Sequence, residues 1–275
     1  MNNNLVEFTN LFKQSYGLDI SIFNEAFLEN TIQTRMQVKS LINMVEYQEF
    51  LKNDNVEIQL LRDSLQIHYS EFFRVPLTFA MLEYIILPDL VQKRINEKRK
   101  EIRIWSAGCA AGQEPYSIAI LMEELLTGEN QKLNYRIFAT DLDEKQLEIG
   151  RIGEYNPNAL GKVSLNRTKT WFSKKGENYV ILPSLQEKIE FTENNLLKEG
   201  KICPPSSIFG DFDLVFCSNL MIYYKPSFQN RILKKFEECI IQDGYLVSDL
   251  SEKAIVLRSG YKEVFPQTPI FQRNI

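Results

Sequence analysis

Small residues, two glycines and a carboxylate follow one another between Ser106 and Glu114, a combination typical of a ligand-binding loop. Gly108 and Gly112 are separated by three residues, no third glycine stands at the dinucleotide position, and no Gly-Lys-Ser/Thr follows. The loop therefore lacks the spacings that bring backbone amides onto phosphate oxygens. It is either a plain tight turn or the site of a ligand without phosphate, such as S-adenosylmethionine, whose ribose and ammonium need carboxylates that Glu114 is placed to supply.

A second acidic position follows at Asp141, directly after the apolar run of residues 135–140. An acidic residue at the end of the second strand of a doubly wound sheet can accept hydrogen bonds from both ribose hydroxyls of an adenosine. The alternative is a helix cap, because Asp141 or Asp143 could equally begin a helix over residues 144–150. Together with the preceding loop, the pattern favours ribose binding.

These residues need strands and helices that hold them at one edge of a sheet. Residues 102–105 are a predicted strand, and a helix is predicted after Pro115 from apolar residues at three- and four-residue intervals: Ile118, Leu121, Met122 and Leu125. Further strands are predicted over residues 135–140, 189–192, 212–217 and 244–248, with a final hairpin over residues 262–273. Strands that alternate with helices predict a mainly parallel sheet with helices on both faces.

Three separated motifs in a fixed order resemble those of the CheR family, the chemoreceptor glutamate O-methyltransferases of bacterial chemotaxis. The family's W-S-A-G-C-S-x-G-E-E-P-Y-S signature matches residues 105–117, with Ala110 and Gln113 as departures. Its phenylalanine-rich motif matches residues 68–74 (HYSEFFR), and its F-C-R-N-x-x-I-Y-F motif matches residues 216–224 (FCSNLMIYY). The resemblance extends over nearly the whole chain.

The resemblance implies a set of residues that contact S-adenosylmethionine or its product S-adenosylhomocysteine. These are His68, Ser70, Arg74, Gly108, Glu114, Asp141, Asn195, Leu196, Ser218 and Asn219. Arg103 and Tyr223 match positions near the reacting groups, where Arg103 would orient the incoming carboxylate and Tyr223 would border the methyl group. We therefore expect Arg103→Ala to depress methyl transfer far more than cofactor binding.

Three of these positions depart from the family pattern, which has Asn at His68, Thr at Ser70 and Arg at Ser218. Ser70 keeps a hydroxyl, and a neutral His68 can still donate one hydrogen bond and accept another. Ser218 is the largest change, since a hydroxyl cannot replace the multi-donor fork of a guanidinium. This change predicts a weakened affinity for the cofactor.

Length and composition are those of a globular enzyme inside the cell. The 275 residues, 44% of them hydrophobic, can bury a sizeable core, and no apolar run reaches the about 20 residues that a membrane-spanning helix needs. A net charge of -4 disfavours a nucleic-acid binder. The four cysteines (Cys109, Cys203, Cys217 and Cys239) lack metal-site spacing, and there is a single histidine. We expect a cytoplasmic monomer with reduced cysteines, no metal, no nucleic-acid partner and no membrane insertion.

The predicted fold class is α/β: a Rossmann-like, doubly wound S-adenosylmethionine-dependent methyltransferase sheet with an N-terminal all-helical domain and a small inserted antiparallel β-subdomain. We place the helical domain at residues 1–90 and the catalytic domain at residues 91–275. The hairpin signal around residues 174–178 puts the insert at about residues 153–186. In the helical domain, residues 30–47 predict one helix with Arg35 and Lys39 on its polar side.

The resemblance implies transfer of a methyl group to glutamate carboxylates of a helical chemoreceptor-type partner. A carboxylate is ionised at neutral pH, with a reference pKa of about 4.3, so no general base is needed. Two alternatives stay open: a non-catalytic signalling scaffold that binds the cofactor, and a methyltransferase for a different carboxylate acceptor. Residues 1–70 hold five Lys/Arg against nine Asp/Glu, whereas the family's receptor-docking face is basic.

Overall fold

The computed structural model describes residues 3–66, 69–126, 133–200, 202–207 and 210–273. Its contacts divide the chain into a helical unit, residues 1–67 and 220–230, and a sheet unit, residues 68–219 and 231–275. The boundary lies at residues 67 and 68 and not near residue 90 as predicted. The reason is that the helices of residues 76–96 bury Phe79, Leu87 and Leu90 in the core of the sheet unit.

Four α-helices form the first part of the helical unit, as predicted for an all-helical domain: α1 (Asn3–Tyr16), α2 (Glu25–Val38), α3 (Met44–Asn53) and α4 (Asn55–Ser64). The single helix predicted over residues 30–47 is wrong, since α2 and α3 are separate. The chain turns between them at Ser40, whose φ is 55°, and Asn43 begins α3 by accepting a hydrogen bond from the Glu46 amide. Asparagine is a strong N-cap because its side chain satisfies an amide that the first turn leaves unpaired.

A buried carboxylate ties α2, α3 and α4 together. Glu57 accepts hydrogen bonds from the Arg35 guanidinium at 2.7 and 2.8 Å and from the Tyr47 hydroxyl at 2.8 Å, and Lys39 Nζ lies 3.3 Å away. A buried charge is tolerated only when it is paired and hydrogen-bonded in this way. Arg35 and Lys39 are therefore engaged with an acid of their own unit.

The described part of the sheet unit contains ten β-strands: β1 (Glu101–Ala107), β2 (Asn134–Asp141), β3 (Glu154–Tyr155), β4 (Phe172–Lys175), β5 (Asn178–Ile181), β6 (Ile189–Glu193), β7 (Phe212–Phe216), β8 (Ile240–Val247), β9 (Tyr261–Glu263) and β10 (Ile270–Arg273). Seven form one sheet in the order β6-β2-β1-β7-β8-β10-β9, parallel except at the final β9/β10 hairpin. The predicted mainly parallel sheet is confirmed. Chain order reverses between β1 and β7, and α/β sheets bind ligands beyond the carboxyl ends of the strands at such a point.

Helices accompany the sheet: α5 (Pro76–Met81), α6 (Leu87–Asn96), α7 (Gln113–Leu125), α8 (Glu144–Ile152), α9 (Leu165–Trp171), α10 (Pro183–Gln186), α11 (Pro226–Cys239) and α12 (Lys253–Arg258). A π-helical turn over Leu82–Ile86 joins α5 to α6. The described helices include none with the length and apolar character needed to cross a membrane. The cytoplasmic location stays a prediction.

Three short strands form a second sheet between α8 and β6. Their order is β3-β5-β4, and both pairings are antiparallel. A two-residue turn joins β4 to β5, and its Gly176 has a φ of 60°, a conformation that glycine adopts without strain. The predicted insert at about residues 153–186 is thus a small antiparallel sheet, as expected.

Residues 220–230 belong to the helical unit although they follow β7 in the chain. They contain a 3-10 turn over Met221–Tyr223 and the first residues of α11. The Asn24 amide donates to the Tyr223 carbonyl at 2.8 Å, and the rings of Tyr223 and Phe27 lie 4.9 Å apart. Tyr223 is therefore held against the start of α2.

Candidate active site

A pocket opens in the sheet unit where β1 and β7 end. We call it the central pocket; its empty volume is about 440 Å³, and its lining residues are Tyr69, Ser70, Glu71, Arg74, Val75, Thr78, Phe79, Gly108, Glu114, Phe216, Ser218 and Ser248. This volume includes the open solvent at the mouth of the pocket. Five of the predicted cofactor contacts therefore lie together: Ser70, Arg74, Gly108, Glu114 and Ser218.

The glycine loop after β1 is held against the end of β2. The amides of Gly108 and Cys109 donate to the Thr140 carbonyl at 2.7 and 3.0 Å, and the Ala110 amide donates to Asp141 Oδ2 at 2.8 Å. Gly108 lines the pocket without a side chain, and its φ of 78° is a conformation that glycine adopts without strain. Gly112 begins α7 with a φ of 89°, and a Cβ there would lie 3.0 Å from the Phe191 ring. A larger residue at position 112 would therefore crowd the Phe191 ring and strain the backbone.

Glu114, in the first turn of α7, is the pocket's partly buried acid. Its Oε1 accepts a hydrogen bond from the Ser106 hydroxyl at 2.7 Å. Burial raises the pKa of Glu114 to about 8, against the opposing effects of the Ser106 hydrogen bond and the Arg74 charge, and the Glu252 carboxylate acts in the same direction as burial. Glu114 is therefore mostly protonated at neutral pH when no cation is near.

Asp141 lies beside the glycine loop and is not among the residues that line the central pocket. Its Oδ1 accepts from the Asp143 amide at 3.0 Å, and its Oδ2 holds the Ala110 amide. The helix-cap alternative belongs to Asp143, which begins α8 and accepts from the Lys145 amide at 2.8 Å. Ribose binding by Asp141 stays a prediction.

The phenylalanine-rich motif places Arg74 by burying the residues before it. Phe72 packs edge-on against Tyr155 at 5.0 Å, and the Phe73 amide donates to the Ser117 hydroxyl of α7 at 3.0 Å. The Arg74 guanidinium then lies 5.2 Å from the Tyr69 ring centre and 4.0 Å from Asp249 Oδ2. Arg74 is the one arginine among the described residues that line the pocket.

A buried acid that sequence reasoning missed supports Ser248, one of the residues that line the pocket. Glu252 is fully buried, and its Oε2 accepts from the Ser248 hydroxyl at 2.6 Å and from the Asn219 amide at 3.1 Å. Asn219 itself has a φ of 58°, in the left-handed region. The signal that could have located Glu252 is the capping box that it forms with Asp249.

Two further predicted contacts, Asn195 and Leu196, are not among the residues that line the central pocket. Asn195 Oδ1 accepts from the Leu197 amide at 2.9 Å in the turn after β6, and Leu196 is 9% exposed. His68 lies outside the described residues. Tyr223 is part of the helical unit. The roles of these four residues stay predictions.

Arg103 requires a correction, because it lies four residues before the end of β1 and so about 13 Å along the strand from the pocket edge. Its Nε donates to the Gly210 carbonyl at 3.0 Å and its Nη2 to the Ser207 hydroxyl at 2.7 Å. The guanidinium also lies 4.7 Å from the Phe138 ring centre. The predicted catalytic role gives way to a structural one, since these contacts fix the loop before β7.

We accordingly expect Arg103→Ala to destabilise the protein by about 1–3 kcal/mol, the value of two guanidinium hydrogen bonds and a cation–π contact. Urea unfolding followed by circular dichroism measures this loss. Affinity for S-adenosylhomocysteine and the rate of methyl transfer should stay within about twofold of wild type, because no pocket residue is touched. Unchanged stability with abolished transfer would restore the catalytic assignment.

The parallel sheet with its reversed strand order, the glycine loop without phosphate-type spacing and the adjacent carboxylates define a methyltransferase of the S-adenosylmethionine-dependent class. The chain belongs to the CheR methyltransferase family. Residues 3–65 match the family's all-alpha domain, and residues 68–268 match its SAM binding domain. The predicted family, fold class and cofactor, S-adenosylmethionine, are confirmed.

The chain is similar to proteins that are named as methyltransferases, and it covers more than half the length of each. The chain is 31% identical to a chemotaxis protein methyltransferase of Listeria monocytogenes over 248 residues, which cover 90% of this chain and 89% of the relative. It is 31% identical to a protein of the same name from Borreliella burgdorferi over 241 residues, covering 86% and 83%. It is also 28% identical over 271 residues to a probable biofilm formation methyltransferase of Pseudomonas aeruginosa, covering 97% and 61%.

The residues of the central pocket fit this cofactor. Gly108 offers bare backbone, Glu114 offers a carboxylate, and the hydroxyl of Thr78 has no hydrogen-bond partner among the described residues although Thr78 is only 2% exposed. A buried hydroxyl without a partner is unfavourable unless a ligand supplies one. Thr78 is therefore a further candidate contact, which no sequence motif had indicated.

We expect Thr78→Val to weaken S-adenosylhomocysteine binding by about 5–10-fold, the equivalent of one lost hydrogen bond. Calorimetric titration measures this change. Thr192→Val is the matched control, because its hydroxyl is also buried without a partner among the described residues but lies on β6 and not in the pocket lining. Equal affinities for both variants would show that Thr78 does not contact the ligand.

Proposed function

We propose that the protein transfers methyl groups from S-adenosylmethionine to glutamate side chains of a chemoreceptor-type signalling protein, giving glutamate methyl esters and S-adenosylhomocysteine. The observation that carries this proposal is that Arg74 lines the central pocket beside the cofactor-loop residues Gly108 and Glu114. A guanidinium binds a carboxylate through two parallel hydrogen bonds and so suits an acid acceptor. The names of the relatives support the chemotaxis context.

The residues of this chain would bind and align the reactants. S-adenosylmethionine supplies an electrophilic methyl group on a sulfonium. Glu114 would hold its ammonium, and Ser70, Gly108, Ser218 and the loop near Asp141 would hold the remainder. The other implied contacts, His68, Asn195, Leu196 and Asn219, complete the proposed set.

Arg74 takes the orienting role that the sequence analysis gave to Arg103, and Tyr223 keeps its proposed place near the methyl group. The acceptor carboxylate is already ionised, with a reference pKa of about 4.3, so no proton has to be removed. Alignment of the carboxylate and exclusion of water would then supply the rate.

The test is a methyl-transfer assay with radiolabelled S-adenosylmethionine and purified cytoplasmic fragments of chemoreceptors from the same genome. A glutamate methyl ester releases volatile radioactive methanol in mild base, and peptide mass spectrometry then locates the modified glutamates. Label that resists base would show methylation of nitrogen and contradict the proposal. Glu114→Gln serves as the control, because at limiting S-adenosylmethionine it should strongly reduce the signal with the same receptor fragments.

Two observations favour a second candidate, a cofactor-binding protein with a different acceptor or none. Arg35 and Lys39 are engaged by Glu57, so they offer less positive charge to an acidic receptor helix. Ser218 lines the pocket where the family pattern has arginine. A protein that binds S-adenosylhomocysteine tightly but methylates no receptor fragment would support this candidate.

The Ser218→Arg variant tests whether the serine at position 218 has cost the pocket affinity for its cofactor. We expect it to tighten S-adenosylhomocysteine binding by less than about threefold, or roughly 0.6 kcal/mol, because Arg74 already supplies a cation to the pocket. Titration calorimetry of both proteins under identical conditions measures the difference. A gain of tenfold or more would mean that serine represents loss of a needed ligand and would favour the scaffold candidate.

A further inference from the structure

Two cysteines that are far apart in the sequence meet at the amino ends of β7 and β8, away from the central pocket. Cys203 is in the loop before β7 and is half-buried, while Cys239 ends α11 and is 1% exposed. Each thiol shifts the pKa of the other. No step of the proposed methyl transfer uses either of them.

Gly210 shows how closely these cysteines approach. A Cβ built on Gly210 would lie 2.9 Å from Cys203 Sγ and 3.6 Å from Cys239 Cα. The Cys203 sulfur and the Cys239 backbone therefore border the same small space, which any side chain at position 210 would fill. Gly210 also has a φ of 62°, a conformation that favours glycine.

The surroundings make the two sulfurs unequal. The interaction with the Cys239 thiol and the positive charge of Arg103 lower the pKa of Cys203, whereas the pKa of Cys239 is raised by Cys203 and by burial. Arg103 is fixed beside this loop by its hydrogen bonds to Gly210 and Ser207. A partly exposed thiol of lowered pKa next to a second thiol is the arrangement of a redox-sensitive pair.

We propose that Cys203 and Cys239 are a redox-modification site that closes to a disulfide when the protein meets a hydroperoxide. The Cys203 thiolate attacks one peroxide oxygen and breaks the O–O bond, giving a sulfenic acid and, after proton uptake, water (or an alcohol). The Cys239 sulfur then displaces the sulfenic hydroxyl, which leaves as a second water and takes up the Cys239 proton. In sum, two thiols are oxidised by two electrons and the peroxide is reduced.

The remaining cysteines serve as internal controls. Cys109 and Cys217 are both buried at 1% exposure or less, and burial raises the pKa of each thiol well above its ordinary value. Buried neutral thiols react slowly with peroxides. Oxidation should therefore be selective for Cys203 and Cys239.

The experiment treats the full-length protein with hydrogen peroxide, blocks free thiols with N-ethylmaleimide and digests with trypsin together with a protease that cleaves before aspartate. Asp211 and Asp213 lie between Cys203 and Cys217, and Arg231 and Lys235 lie between Cys217 and Cys239, so the double digestion puts each of these three cysteines on its own peptide. We expect a linked pair of peptides containing Cys203 and Cys239, lighter by two hydrogen atoms and split by dithiothreitol. Linkage through Cys217, or oxidation of Cys203 alone to a sulfinic acid, would overturn the proposal.

Thermal unfolding gives a second readout. Oxidation should raise Tm by roughly 5–10 °C, because a disulfide constrains the unfolded chain between the linked residues. Cys203→Ser should remove both the linked peptide and this shift, whereas Cys109→Ala should keep both. An equal Tm shift in Cys203→Ser and wild type would also contradict the pair. None of these readouts depends on methyl transfer, so the redox site and the proposed function fail or succeed separately.

Discussion

Replacing Glu114 by glutamine should weaken S-adenosylhomocysteine binding by about 10–100-fold at pH 8.5, the value of a charge-assisted hydrogen bond, and should remove the dependence of binding on pH. Burial raises the pKa of Glu114 to about 8, so the ligand-free protein holds this carboxyl mostly neutral below that pH. The ammonium of S-adenosylhomocysteine would bind the ionised carboxylate of Glu114. The wild-type affinity should therefore rise from pH 6 to pH 8 by roughly 50-fold, since the ionised fraction is about one half at the pKa and falls about tenfold for each further unit below it.

The measurement is calorimetric titration at several pH values and in buffers of different ionisation enthalpy. Below pH 8 the wild type should release a proton on binding, and the apparent enthalpy should follow the buffer. Glu124→Gln is the matched control, since it makes the same change about 15 Å away on α7. An affinity of the wild type that is constant with pH would show that Glu114 does not hold the ammonium.

The same pKa has a consequence for stability. A carboxyl whose pKa is raised in the folded state loses its proton in the unfolded chain at lower pH, so folding becomes less favourable as pH rises from about 4.5 to about 8. Glu114→Gln cannot ionise and should lack this decline. The ligand-free variant should accordingly be more stable than wild type at pH 8.5 although it binds the ligand less well, which is typical of a residue kept for function.

Arg74→Ala should reduce methyl transfer about 100-fold or more while S-adenosylhomocysteine affinity at pH 9 changes by less than about fivefold. The reason is that Arg74 would orient the acceptor carboxylate, which only the reacting complex contains. The pH matters, because the Arg74 charge lowers the pKa of Glu114 and its loss would otherwise weaken cofactor binding indirectly. The initial rate of methyl transfer is measured from the radioactive methanol that base releases, and the affinity for S-adenosylhomocysteine is measured by calorimetry.

Two further variants test whether the loss of rate is specific to the guanidinium of Arg74. Arg74→Lys keeps the charge and loses the planar fork, so it should recover only part of the rate. Arg103→Ala removes an arginine that lies outside the pocket and should keep the rate. If Arg74→Ala lost affinity and rate equally at pH 9, Arg74 would be a cofactor contact, as the family motif had implied, and the acceptor would need another partner.

Much of the pocket could be predicted because its residues belong to short motifs. Gly108 and Glu114 lie on one strand-loop-helix segment, and the bonds of Asp141 to Ala110 and Asp143 are also local to strand ends. Arg74 follows two phenylalanines whose burial fixes its position. The prediction of one helix over residues 30–47 was wrong because the hydrophobic periodicity continues through the turn before Asn43, the residue that caps α3.

The sequence by itself determined the family, the order of strands and helices, the cofactor and the residues of the glycine loop, because these depend on neighbours along the chain. Only the tertiary structure decided that Arg103 supports a loop, that Thr78 presents an unpartnered hydroxyl to the pocket and that Cys203 meets Cys239. Each of these depends on which residues face one another across strands and loops that are distant in sequence. Packing sets that arrangement, and a short sequence motif does not specify it.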